Sequence, residues 1–206
     1  MLKIWGRRNS INVQKVMWTV HELGLAHTRI DAGLQYGVVN ESVYRAMNPN
    51  GRVPTIDDDG FVLWESNAVV RYLVARYGPD ILGAPDARSH ALADSWTDWT
   101  TTVLAPPMTT LFWGLIRTPQ ETRDNNAIEA ARQQMELAVA ILDGRLARAA
   151  FVGGDRLTFG DIPAGCFIPR WKALPIDRGV HPNVERWYAG LSSRPAYQSQ
   201  VMLPLS

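Results

Sequence analysis

Asn48-Pro49-Asn50-Gly51-Arg52-Val53-Pro54-Thr55-Ile56-Asp57-Asp58-Asp59-Gly60-Phe61-Val62-Leu63-Trp64-Glu65-Ser66 is the stretch that decides the fold. Asn48 to Gly51 is a turn. Two short apolar runs, Val53 to Ile56 and Phe61 to Trp64, then flank an acidic segment ending in Asp59-Gly60, a strong two-residue hairpin signal. An antiparallel strand pair is expected here. Ser66 next opens a helix with Ala68, Val69, Tyr72, Leu73 and Tyr77 at helical spacing, closed by Gly78-Pro79.

Upstream of the hairpin, Leu2 to Trp5 is a short apolar strand, and Ile11 to Leu23 carries Val13, Val16, Met17, Val20 and Leu23 at helical spacing before Gly24 ends it. His27 to Ile30 is a second strand. Strand, helix and strand make a βαβ unit, whose parallel strands need a crossover helix. Ser42 to Met47 is a short irregular helix. The order β-α-β-α-β-β-α is that of a thioredoxin-like domain, expected over residues 1–78.

Residues 79–86, within the run Gly-Pro-Asp-Ile-Leu-Gly-Ala-Pro, form a linker, and an all-α helical bundle is expected over 87–206. Leu92, Trp96, Trp99 and Val103 give an inward stripe that runs to Pro106-Pro107. Thr118-Pro119-Gln120-Glu121 combines an N-cap threonine, a proline at the first helical position and a glutamate at the third. Ile128, Ala131, Met135, Ala138, Ile141, Leu142 and Leu146 then supply an apolar face. Leu157 to Ile162 is a second capping box, in which Pro163 is the weak point. A last helix carries Val184, Trp187, Tyr188 and Leu191.

Composition excludes several classes. Lys plus Arg (21) nearly balances Asp plus Glu (20), and no basic cluster is long enough to follow a polyanion, so neither nucleic acid nor an anionic membrane is an expected partner. The single cysteine, Cys166, excludes a Cys-x-x-Cys pair and a zinc-thiolate cluster, and no metal is expected. His21-Glu22 begins like a zinc-protease motif, but Leu25 stands at the second histidine position. The N-terminus turns polar too soon for a signal peptide, which points to the cytoplasm. The uncharged stretch Trp99 to Ile116 approaches membrane-spanning length, yet its threonines and paired prolines make it a buried, bent helix.

Four blocks resemble the glutathione transferase family along essentially the whole chain. They are Ser10-Ile11-Asn12-Val13-Gln14-Lys15, Asn48 to Pro54, Glu65-Ser66-Asn67-Ala68, and Leu157 to Asp161 leading to Arg170-Trp171. The opening block is most similar to bacterial theta-like and nu-like members. The resemblance implies an enzyme with glutathione as co-substrate, acting on a small hydrophobic electrophile, and a homodimer. It implies a cis Val53-Pro54 bond that turns the Val53 amide and carbonyl toward the cysteinyl part of glutathione, with Arg52 near the glycyl carboxylate. Ser66, as helix N-cap, would leave amides for the γ-glutamyl carboxylate, and Glu65 would take the amine.

Lowering a thiol pKa from about 8.5 to about 6 takes about 3.4 kcal/mol of thiolate stabilisation, at 1.36 per unit. One hydrogen bond to a charged sulfur, about 1.5 to 3 kcal/mol, together with a helix N-terminus, about 0.3 to 2, reaches that. Ser10 stands where both are available, and its other reading is a plain helix cap. Asn12 is the rival donor. Arg7 and Arg8 either add positive potential at the mouth of the site or are two solvated loop charges. Met108, Phe112, Trp113 and Arg117 are the candidate walls of the electrophile site, or else core. A glutathione-dependent disulfide or peroxide reductase and a non-catalytic binding protein of the same fold are the competing readings.

Overall fold

The computed structural model describes residues 1–205. The chain divides into two compact units, Met1–Gly83 with Pro195–Leu203, and Ala84–Arg194 with the last residues.

In the first unit, strands β1 (Leu2–Trp5), β2 (His27–Ile30), β3 (Thr55–Asp58) and β4 (Phe61–Trp64) form one sheet in the order β2-β1-β3-β4. β1 runs parallel to β2 and antiparallel to β3, which pairs with β4 as a hairpin. Asp59 (φ 51°) and Gly60 (φ 95°) are its two loop residues, both in the left-handed region that a tight hairpin of this hand requires. The third strand starts at Thr55, two residues later than the expected Val53, because Pro54 has no N–H to give a ladder. Asp57 and Asp58, expected in the turn, pair within the strand instead.

Helices α1 (Ile11–Glu22) and α3 (Ser66–Tyr77) cover the sheet, and α2 (Ser42–Met47) lies in the crossover between β2 and β3. The side chains of Leu2 and Ile4 point into the core with Val13, Val16, Val20, Ile56, Val69 and Leu73, as alternation on a strand and helical spacing require. The same unit holds a short helix near the chain's end, Pro195–Gln200, whose Tyr197 ring meets Trp18 edge-on at 4.8 Å, both rings fully buried. Assigning all of 87–206 to the helical bundle missed this return, because a six-residue segment has too little periodicity to show where it packs.

The second unit contains α4 (Ala87–Trp99), α5 (Ala105–Phe112), α6 (Asn125–Leu146), α7 (Asp161–Ala173) and α8 (Pro182–Ser192), so the Pro195–Gln200 helix is α9. The stripe Leu92, Trp96, Trp99, Val103 is not the buried one. The fully covered residues lie one position on, at Ala93, Thr97, Thr100 and Leu104. Close packing explains the shift at its first position: a Cβ on Gly160 would stand 2.8 Å from the Ala93 Cα, so the chain there approaches too closely for a large side chain. The threonine hydroxyls donate to carbonyls of their own helix, Thr97 to Ala93 at 3.0 Å and Thr100 to Trp96 at 2.8 Å, so they are buried without loss.

Pro106-Pro107 does not break the helix. A π-helical turn, Thr100–Leu104, precedes α5, and the prolines enter its first turn while the Ala105 amide reaches back to the Thr100 carbonyl. The next helix starts later than Thr118. Asp124 caps α6 by accepting from the Ala127 amide at 2.9 Å, and Pro119 is extended (ψ 144°). Arg123 holds the intervening segment by donating to the carbonyls of Leu115 (2.6 Å) and Thr118 (3.2 Å).

The second capping box is a buried knot around Asp161. Its Oδ1 accepts from the Val152 amide (2.9 Å) and Trp187 Nε1 (3.0 Å), and its Oδ2 from the Thr158 amide (3.1 Å) and hydroxyl (3.3 Å). α7 begins at Asp161 itself, so Pro163 falls among the first amides, which have no helical partner to lose. Burial pushes the Asp161 carboxyl up to about 6 against the pull of these donors. Among the described residues no helix is long and apolar enough to cross a membrane, and no group of His, Cys, Asp and Glu could hold a metal.

Asp161→Ala strands two amides and an indole N–H in a dry interior, at about 1–3 kcal/mol for each unsatisfied group. It should therefore lower the unfolding free energy by about 3 kcal/mol or more, read from the urea midpoint at unchanged m-value. A loss under about 1 kcal/mol would show that the knot contributes little.

Candidate functional site

Register brings the three N-terminal motif blocks together. Trp5 pairs with Ile30 on one side and with Thr55 on the other, and Thr55 pairs with Trp64. The loop after β1, the loop after β2, the segment before β3 and the turn after β4 therefore leave the sheet at one end. Ser10, Val53 and Glu65 all belong to these loops.

The first loop runs from Gly6 to Asn9. A Cβ on Gly6 would overlap the Val13 side chain, so only glycine lets the strand pass beneath α1. Ser10 is the extended residue (φ −80°, ψ 123°) that precedes α1, and its carbonyl accepts from the Gln14 amide at 2.9 Å. Its hydroxyl makes no capping bond to the helix, and the side chain is buried. The plain-cap reading therefore does not account for this serine. Asn12 is the second residue of α1 and is exposed.

The second block rests on a polar network that its sequence did not reveal. Tyr44 and Asn48 are buried, and both donate to the Arg52 carbonyl, at 2.7 and 2.9 Å. Both also meet the Thr55 hydroxyl, at 2.8 and 3.0 Å, while Asn48 Oδ1 accepts from the Asn50 amide. The signal lay in polar residues standing beside an apolar strand. Arg52 itself is exposed, the Val53-Pro54 bond is cis, and Val53 lies outside the ladder that begins at Thr55.

At the third block Ser66 is not the cap. Glu65 occupies that place with φ 71° and ψ 109°, and Ser66 is the first helical residue, buried. A residue held in the left-handed region turns the chain from β4 into α3 in one step, at a local cost of about 1–3 kcal/mol. The first-turn amides of α3 remain outside its own ladder. Lys15, only 4% exposed, donates to Asn67 Oδ1 at 3.3 Å and ties α1 to this helix start. A lysine between Val13 and Val16 was the available clue.

The electrophile-wall candidates all belong to the second unit. Met108 is 2% exposed and is core, because it sits on the buried side of α5 with Leu111 and Leu104. Phe112 is half-buried and lies under two guanidinium groups, Arg117 at 5.6 Å and Arg170 at 5.4 Å. Trp113 is 58% exposed, and Arg117 is exposed.

Comparison with known proteins agrees along the whole chain. Residues 1–75 match the glutathione S-transferase N-terminal domain, and residues 125–190 match the C-terminal domain. Glutathione S-transferase GstB of Escherichia coli (strain K12) is 40% identical over 208 residues, covering all of both chains. The theta class glutathione S-transferase from Xanthomonas axonopodis pv. citri, solved with glutathione bound, superposes with a TM-score of 0.95 at 47% identity, over 100% of this chain and 99% of that one. The glutathione transferase BmGSTD1 of Bombyx mori gives 0.86 at 27%, over 98% and 93%.

Asn48→Ala removes two donated bonds and one accepted bond around the Arg52 carbonyl, and should cost about 1–3 kcal/mol. Tyr44→Phe leaves Asn48 on that carbonyl and should cost about 1 kcal/mol. Urea unfolding of both variants checks the order; equal costs would mean that Asn48 is not the centre of the network.

Proposed function

Because the chain belongs to the glutathione S-transferase family, we propose that the end of the sheet where its motif blocks meet is the glutathione site, with Ser10 activating the bound thiol. The protein is a glutathione transferase, with glutathione as co-substrate. The observation that carries the site assignment is the row Ile30, Trp5, Thr55, Trp64, which brings Ser10, Val53 and Glu65 to one end of one sheet.

Glutathione is an extended tripeptide, and Val53, outside the ladder, offers it backbone pairing. Arg52 takes the glycyl carboxylate, with its backbone fixed by Tyr44 and Asn48. The first-turn amides of α3 and the Ser66 hydroxyl take the γ-glutamyl carboxylate, since a helix N-terminus combines donors with a positive dipole end. Lys15 adds positive charge beside that helix, and Glu65 takes the amine. This arrangement puts the thiol at the start of α1, where the Ser10 hydroxyl donates to sulfur and favours the thiolate. The thiolate then attacks a small electrophile: the carbon–sulfur bond forms as the leaving group departs with its electron pair, and the thiol proton has gone to solvent.

Ser10→Ala should raise the pKa of the bound thiol by one to two units, for a lost bond of about 1.5 to 3 kcal/mol, and leave glutathione affinity nearly intact. Turnover at neutral pH should fall about ten- to a hundredfold and recover partly at alkaline pH. Ser66→Ala should instead weaken affinity and leave the thiol titration in place. Thiolate absorbance of bound glutathione against pH decides. If only Asn12→Ala moves the titration, Asn12 is the donor.

A cytoplasmic homodimer completes the reading. The exposed Phe61, Val62 and Tyr77 along β4 and α3 support it, as apolar side chains at a sheet edge that a second copy would cover. Light scattering at micromolar concentration should give twice the chain mass of 23.0 kDa; a stable monomer would contradict it.

A further inference from the structure

Ser10 makes no capping bond to α1, so the direction of its hydroxyl follows from the backbone that delivers it. That backbone is the loop Gly6 to Asn9, and its first residue is held at both polar atoms. The Gly6 amide donates to the Ile30 carbonyl at 2.8 Å, which carries the β1 pairing with β2 one step past Trp5. The Gly6 carbonyl accepts from Arg29 Nη1 at 2.7 Å. Gly6 is buried, so this carbonyl needs a protein partner. A glycine backbone otherwise rotates at little steric cost. The Arg29 guanidinium therefore decides in which direction the chain leaves β1.

Arg29 is itself oriented. Asp31, two residues on, accepts from Nη1 through Oδ1 and from Nη2 through Oδ2, the latter at 3.3 Å. A two-point contact of this kind fixes the plane of the guanidinium, which the point charge of an ammonium does not allow. Nη1 thus serves Asp31 and Gly6 together. The far part of the loop has its own restraints: the Ser10 amide donates to the Arg7 carbonyl at 3.2 Å, and Arg8 donates to the Ser199 carbonyl at 3.2 Å. Between these restraints and the end of β1, the bond from Arg29 is the one that sets the exit of the loop.

We propose that Arg29, held in its plane by Asp31, is a positioning residue for catalysis: through the Gly6 carbonyl it fixes the loop that aims the Ser10 hydroxyl at the sulfur of glutathione. The inference rests on the reading of Ser10 above and adds a residue that acts through Ser10. Misplacing a catalytic group by about 1 Å is enough to cost about a hundredfold in rate, so a loop released at one end has a measurable effect.

Arg29→Met removes both sets of bonds. It should lower kcat at neutral pH about tenfold and raise the pKa of the bound thiol by about one unit, with the KM for glutathione changed less than about twofold. Arg29→Lys keeps the charge and one donor for Gly6 and should recover part of the loss. Asp31→Ala frees the guanidinium without removing it and should act in the same direction with a smaller size. Equal far-ultraviolet circular dichroism confines the comparison to folded variants; should Arg29→Met not fold, Asp31→Ala takes its place.

A double-mutant cycle with Ser10→Ala, read by thiolate absorbance of bound glutathione against pH, decides. In the Ser10→Ala background the second substitution should shift the titration no further, because no hydroxyl remains to be aimed. An equal shift in both backgrounds overturns the proposal, since the lost charge then acts on the thiolate directly. A rise in glutathione KM at unchanged kcat also overturns it and makes Arg29 a binding residue. If Ser10→Ala shifts the titration and neither Arg29→Met nor Asp31→Ala does, the proposal fails alone; if Ser10→Ala leaves the titration in place, the reading of Ser10 fails and the proposal with it.

Discussion

One row of pairings, Ile30 to Trp5 to Thr55 to Trp64, fixes which segments of the chain meet at one end of the sheet. The sheet has β1 parallel to β2 and antiparallel to β3, so the C-terminal ends of β1, β2 and β4 meet the N-terminal end of β3. Four connecting segments converge there. A slip of one residue in any pairing would turn Ile4 or Ile56 out of the core, so burial of those side chains enforces the alignment of the loops. The hydrophobic core and the convergence of the four segments are specified by the same contacts.

Charge collects at that end for a related reason. α1 and α3 both begin there, each with first-turn amides and a positive dipole end. Lys15 is buried on α1 and donates to Asn67 at the start of α3. Positive helix ends and donors gathered in one place favour anionic groups over neutral ones. The positive φ of Glu65 belongs to the same account: the chain must turn sharply for the start of α3 to face the loops after β1 and before β3, and a left-handed residue does so at once.

The order of strands and helices in the first unit was legible because each element has a sharp signal, such as Asp59-Gly60 between two apolar runs. Residues whose role depends on partners distant in sequence were not legible. The stripe on α4 was displaced by one position because large aromatic residues usually mark the core, whereas here the close approach of Gly160 to Ala93 demands a small one, and Trp96 and Trp99 are only half-buried, meeting edge-on at 4.9 Å. Ser66 looked like a cap because a serine before a helical run usually is one; the backbone of Glu65, invisible in its side chain, decided otherwise. Ser10, Val53 and Glu65 were singled out through motif resemblance, whereas the bonds of Lys15, Tyr44 and Asn48 were not legible because they close only in three dimensions.

The return of the chain to the first unit shows how far such closure reaches. Trp18 is buried on α1, and the ring that meets it edge-on comes from Tyr197. Two residues on in α9, the Ser199 carbonyl receives Arg8. The loop between β1 and Ser10 is therefore held from two sides, by Gly6 packed under Val13 and by a helix that arrives after the whole second unit has been traversed. An exposed loop carrying two adjacent arginines would otherwise sample many conformations, since each long side chain retains up to about 2 kcal/mol of rotamer entropy. Anchoring Arg8 on a backbone carbonyl removes part of that freedom before any ligand arrives. A guanidinium restrained in this way is held in place as a solvated loop charge is not.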